Sequence, residues 1–74
     1  MQALEKLISI LENYVEVDEI TPENHFKSDL GMSSFDLTCI MADVKNEFGV
    51  ALTAADFVKH KTVGQLAEYI DAGR

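Results

Sequence analysis

The sequence is poor in the residues that staple small proteins. One cysteine, Cys39, among 74 residues rules out an internal disulfide. That thiol and two isolated histidines, His25 and His60, offer no metal-ligand spacing. A core of this size supplies about 3–5 kcal/mol without staples, so helix packing has to hold the fold. Basic residues are also scarce: six Lys and Arg stand against thirteen Asp and Glu, for a formal net charge of -7. A nucleic-acid binder needs a basic face, and this chain lacks one. An anionic membrane surface is disfavoured for the same reason. No apolar run approaches the roughly 20 residues that span a bilayer. The opening residues, Met1 to Lys6, lack a basic stretch leading into an apolar one, so no signal peptide is expected. The expected location is cytoplasmic, where a free thiol is unremarkable.

What is present is a globular composition. Hydrophobic residues make up 47% of the chain, enough for a core and too many for a disordered acidic tail. The acidity suits a basic protein partner, which opposite potentials would steer into contact, or serves solubility alone. The length predicts one domain, residues 1–74, and a monomer is expected.

Apolar residues set the helices. Leu4, Leu7, Ile8, Leu11, Tyr14 and Val15 recur at helical spacing and predict a first helix over Gln2 to Val15. Periodicity is lost from Glu16 to Met32, where Thr21-Pro22, Asn24, Ser28 and Gly31 are breakers. That loop is long for so small a domain. Ile20, Phe26 and Leu30 within it are expected to plug the core and keep it ordered, and Thr21-Pro22-Glu23 could start a helical turn. The second helix is predicted over Ser34 to Phe48, with Leu37, Ile40, Met41, Val44 and Phe48 as its buried stripe and Gly49 as a left-handed cap. Thr53-Ala54-Ala55-Asp56 opens a short helix that ends near Val58 to His60. Thr62-Val63-Gly64-Gln65 opens the last, with Val63, Leu66, Ala67 and Ile70 inward. The expected fold is therefore all-α: a small four-helix bundle of three long helices and one short, with a long ordered loop between the first and second.

The stretch that organises the chain is Ser28 to Leu37. A glycine break runs into two serines at the start of an amphipathic helix. Ser33 is a good N-cap, with Asp36 three residues on completing a capping box. Ser34 is not needed for capping. It falls in the first turn with its hydroxyl free, where the helix dipole and unpaired N–H groups favour a phosphate. Nothing equips it as a nucleophilic catalyst. A hydrolase elbow needs Gly-x-Ser-x-Gly after a strand, and Gly31-Met32-Ser33-Ser34-Phe35 lacks both the second glycine and the strand. A P-loop pattern is absent, and only His25 and His60 could serve as a base.

Asp29-Leu30-Gly31-Met32-Ser33-Ser34-Phe35 resembles the Asp-Leu-Gly-x-Asp-Ser-Leu motif of acyl carrier proteins. Phe26-Lys27-Ser28-Asp29-Leu30-Gly31 resembles the approach to that motif, and Asn46-Glu47-Phe48-Gly49 the end of the family's second helix. The likeness in order and length covers almost the whole chain. It implies that Ser34 receives a covalent 4′-phosphopantetheine arm from coenzyme A, transferred by a phosphopantetheinyl transferase with magnesium. The arm's thiol would then carry acyl groups as thioesters for fatty-acid or polyketide-type synthesis. The partners implied are acyl-transferring synthase enzymes, or an adenylating ligase if the cargo is aminoacyl, peptidyl or aryl. The chain itself would catalyse nothing.

Two departures stand out. Ser33 replaces the family's aspartate, which keeps the cap and loses a charge. The family's acidic row on the second helix is thinned by Cys39, Lys45 and Asn46, leaving Asp36, Asp43 and Glu47. Phe35 and Cys39, with Ala42 and Asp43, share a helix face that could contact a partner. Those departures also admit a carrier-fold interaction module that is never modified.

Overall fold

Four helices follow one another in the computed structural model, which describes residues 2–73: α1 (Gln2–Leu11), α2 (Ser34–Phe48), α3 (Ala54–Lys59) and α4 (Val63–Ala72). There is no strand among the described residues; the only β feature is an isolated antiparallel bridge between His25 and Thr62. The expected bundle of three longer helices and one short is what forms.

α1 buries Ala3, Leu7 and Leu11 and packs on α4 and α2. It ends at Leu11, short of the expected Val15. The segment lacks a glycine or other left-handed cap, so the chain tightens instead: the N–H of Asn13 bonds the carbonyl of Ile10 at 3.1 Å, and that of Tyr14 the carbonyl of Leu11 at 2.9 Å. Tyr14 and Val15 still pack against the core, from a turn rather than a helix. The apolar period is thus real, but it outlasts the helix.

The long loop is ordered by the apolar residues within it. Ile20, Phe26, Leu30 and Met32 are all buried. Phe26 sets its ring edge-on to Phe57 of α3, with centroids 5.2 Å apart. Thr21-Pro22-Glu23 does not begin a helix; it forms a β-turn in which the Asn24 N–H reaches the Thr21 carbonyl at 3.1 Å and the Asn24 side chain accepts the Thr21 N–H at 2.9 Å. Proline is well suited to the second position of such a turn.

Three backbone bonds then stitch this loop to the start of α4. Phe26 N–H donates to Lys61 C=O at 3.2 Å, Val63 N–H to Asn24 C=O at 3.0 Å, and Gly64 N–H to Pro22 C=O at 2.8 Å. The last two use amides that a helix's first turn leaves free. The stitch also accounts for Gly64, a costly residue inside a helix. A Cβ there would lie 3.0 Å from Pro22 Cβ and 3.1 Å from its carbonyl oxygen. The close neighbour is the loop, not another helix.

Val44, Ile40, Leu66, Ile70 and Val63 complete the centre of the core, and no polar or charged residue is buried among the described residues. Leu52 is buried and Val50 packs beside it, so the segment after Gly49 returns to the core as expected. Met41 is half-buried at the edge of the α2 stripe.

Candidate attachment site at the start of α2

Gly31 stands in the left-handed region at φ +65°, which an L side chain rarely adopts, and its N–H bonds Lys27 C=O at 3.1 Å. The chain then straightens into Ser33, whose φ of −84° and ψ of 172° are extended. Ser33 Oγ accepts the Asp36 N–H at 3.2 Å, and Asp36 Oδ2 accepts the Ser33 N–H at 3.0 Å. The expected capping box is therefore complete, and it occupies both Ser33 and Asp36. Gly49 closes the other end at φ +72°, as its position predicts.

Ser34 is the first helical residue and is exposed. Its carbonyl accepts from Thr38 Oγ1 at 3.0 Å, while no group among the described residues hydrogen-bonds its hydroxyl. This is a free oxygen at the positive end of a 15-residue helix. A phosphoryl group attached there would gain typically about 0.3–1 kcal/mol from the helix terminus, so the position fits one.

Asp29 is the motif residue whose work the sequence did not reveal. Its carboxylate accepts the backbone N–H of His25 at 2.7 Å and meets His25 Nδ1 at 3.2 Å. These bonds, the backbone one first, hold the carboxyl below its ordinary range. Asp29 and His25 thus brace the turn that delivers Leu30, which is buried, and Gly31. His60 stacks on Tyr69 with centroids 4.6 Å apart. Neither imidazole hydrogen-bonds Ser34.

A cleft of about 410 Å³ opens beside Ser34. Phe26, Leu37, Met41, Phe57 and Val58 form its apolar wall, between α2, α3 and the loop. Ser34, Thr38, His25, Lys27 and Lys61 add its polar groups. The two lysines carry no signal in the linear sequence; it takes the loop-to-α4 stitch to bring them together.

The expected partner face is only partly free. Phe35 is 75% exposed and stands out from the surface. Asp43 is half-buried and accepts a hydrogen bond from the Tyr14 hydroxyl. Glu47 pairs with Lys6 at 3.6 Å, an exposed contact of small energetic worth. Cys39 is a free, half-buried thiol, and Asp36 is engaged in the cap. Of the five residues, Phe35 alone stands clear. Val58, 67% exposed at the cleft, is a second outward apolar residue that helix periodicity did not single out. No group of His, Cys, Asp and Glu among the described residues could hold a metal, and no helix is long and apolar enough to cross a membrane.

A small helical scaffold with an unbonded serine at a helix start, beside an apolar cleft, is the arrangement that the carrier-type motif implies. Comparison makes that specific: residues 4–70 match the family described as "Phosphopantetheine attachment site", and the chain belongs to the acyl carrier protein family. It is 40% identical over 68 residues to the acyl carrier protein of Thermotoga maritima, covering 89% of this chain and 84% of that one. Its fold is similar to the solved acyl carrier protein of Enterococcus faecalis, with a TM-score of 0.80, 27% identity, and coverage of 99% of this chain and 95% of that one.

Proposed function

We propose that Ser34 is the residue that takes the 4′-phosphopantetheine arm, and that residues 1–74 form a single carrier domain delivering acyl groups as thioesters on it. The observation that carries this reading is the Ser34 hydroxyl: exposed, unbonded, first in α2, and on the wall of an apolar cleft. The arm supplies the thiol that the cargo needs. The protein supplies the rest. Ser33 and Asp36 fix the helix start, so the root of the arm has a defined position. Asp29, Leu30 and Gly31 hold the turn that exposes it. A flexible tether on a rigid root lets one thiol visit several enzymes at high effective concentration.

Ser34 has no base of its own, so its activation falls to a phosphopantetheinyl transferase using coenzyme A, and the domain acts as substrate rather than catalyst. Acyl-transferring synthases are the further partners, and Phe35 with Val58 gives them an apolar foothold flanking the serine. The setting is a monomer in the cytoplasm. Intact mass after incubation with coenzyme A, magnesium and a promiscuous transferase tests the reading. The expected result is one arm's mass on the wild type and none on Ser34→Ala. Gain on Ser34→Ala, or no gain with any transferase tried, overturns it.

A further inference from the structure

We propose that Lys27 and Lys61 bind the phosphodiester joining the arm to Ser34, and so draw the root of the arm across the cleft. The inference rests on the attachment reading above. It starts from a charge anomaly. The chain holds thirteen Asp and Glu, yet none lines the cleft, whereas two of its lysines do. Both stand on the same small cleft as Ser34.

Backbone pairing holds the two segments that carry them close together. The bond from Phe26 N–H to Lys61 C=O, 3.2 Å long, and the bridge between His25 and Thr62 clip the two backbone segments together. That register sets Lys61 opposite Phe26, one position from Lys27, and both lysines line the cleft. Neither makes an ion pair among the described residues. Lys6, by contrast, pairs with Glu47, and His25 is taken by Asp29.

The anion they fit is the one whose place a covalent bond fixes. A phosphodiester on Ser34 brings a negative charge to the cleft's edge, two residues from Asp36 and in a chain of net charge -7. Like charges in that setting repel, and two unpaired ammonium groups on flexible stems offset them as point charges. An uncharged acyl chain gives the same ammonium groups nothing to bind, while the apolar wall suits it. The lysines thus act as positioning residues for the arm, and the wall receives what the arm carries.

Nuclear magnetic resonance on the full chain tests this, after intact mass has established that the arm is present. In the wild type, the lysine ε-methylene signals of Lys27 and Lys61 should move when the arm is loaded, and those of Lys59, which does not line the cleft, should stay in place. The phosphorus signal of the loaded protein should shift between low and high sodium chloride, because salt screens the pairing. Lys27→Gln/Lys61→Gln should abolish that shift, and Lys59→Gln should keep it. Unmoved lysine signals in the loaded wild type overturn the proposal without touching the attachment reading, and need no variant to fold. An equal salt response in the double variant also overturns it. Absence of any loading overturns both.

Discussion

The hydroxyl of Tyr14 donates a hydrogen bond to the carboxylate of Asp43, tying the turn that ends α1 to the middle of α2. The bond to a carboxylate, helped by partial burial, pushes the Tyr14 phenol up to about 12 from 10.0. The sign of the consequence follows. The folded state keeps its proton where the unfolded chain loses it, so this contribution to stability is whole below pH 10.0 and disappears as pH rises to about 12. Ultraviolet titration should show a late tyrosinate component that Tyr14→Phe removes. The same substitution should lower the melting temperature at neutral pH by leaving Asp43 without its donor. A variant with unchanged melting would show that the contact does not hold α1 to α2.

The cap at the start of α2 was legible because its chemistry is local: Ser33 and Asp36 lie three residues apart and need nothing else. Gly49 and the buried stripe were legible for the same reason. The end of α1 was not, since apolar spacing continues through Tyr14 and Val15 although the backbone has left the helix. Two residues of the expected partner face carry contacts within the chain. Asp43 and Glu47 look free in a linear sequence, but their contacts, Tyr14 and Lys6, come from α1 and the turn after it. Lys27 and Lys61 could not be seen together at all, because 34 positions separate them and only the loop-to-α4 stitch joins them.

Gly64 gives a test of that stitch. On propensity alone, Gly64→Ala should stabilise α4 by about 1 kcal/mol. The new Cβ would press at 3.0 Å on the rigid ring of Pro22 and at 3.1 Å on its carbonyl oxygen, neither of which swings aside easily. We expect the clash to win, with a net loss of about 1–2 kcal/mol in urea unfolding. A stabilised variant would mean that the loop yields and the stitch is slack.

Asp29 links the same loop to pH. Its carboxyl is held below the ordinary 3.8 by the His25 backbone N–H first and the imidazole second. A depressed carboxyl contributes stability above its unfolded value, and that contribution is lost as pH falls through the folded one. Acid unfolding of the wild type should therefore steepen below pH 3.8, and Asp29→Asn should flatten that part of the profile. Equal acid profiles for the two proteins would remove Asp29 from the account of the turn.

Phe26 couples stability to the cleft. Only 3% of it is exposed, and its ring meets Phe57 edge-on at 5.2 Å while forming part of the cleft wall. Phe26→Ala should cost about 3–5 kcal/mol, which approaches the whole margin of so small a core. Its melting curve should be shifted far down or lost. Phe26→Leu keeps most of the volume and should fold. If the loop is anchored through this ring, amide exchange in the folded Leu variant should quicken first at position 26 and at Val63 and Gly64, whose N–H groups make the stitch. Unchanged exchange there would show that the backbone bonds hold the loop without the ring, and the cleft beside Ser34 would then owe its shape to the stitch alone.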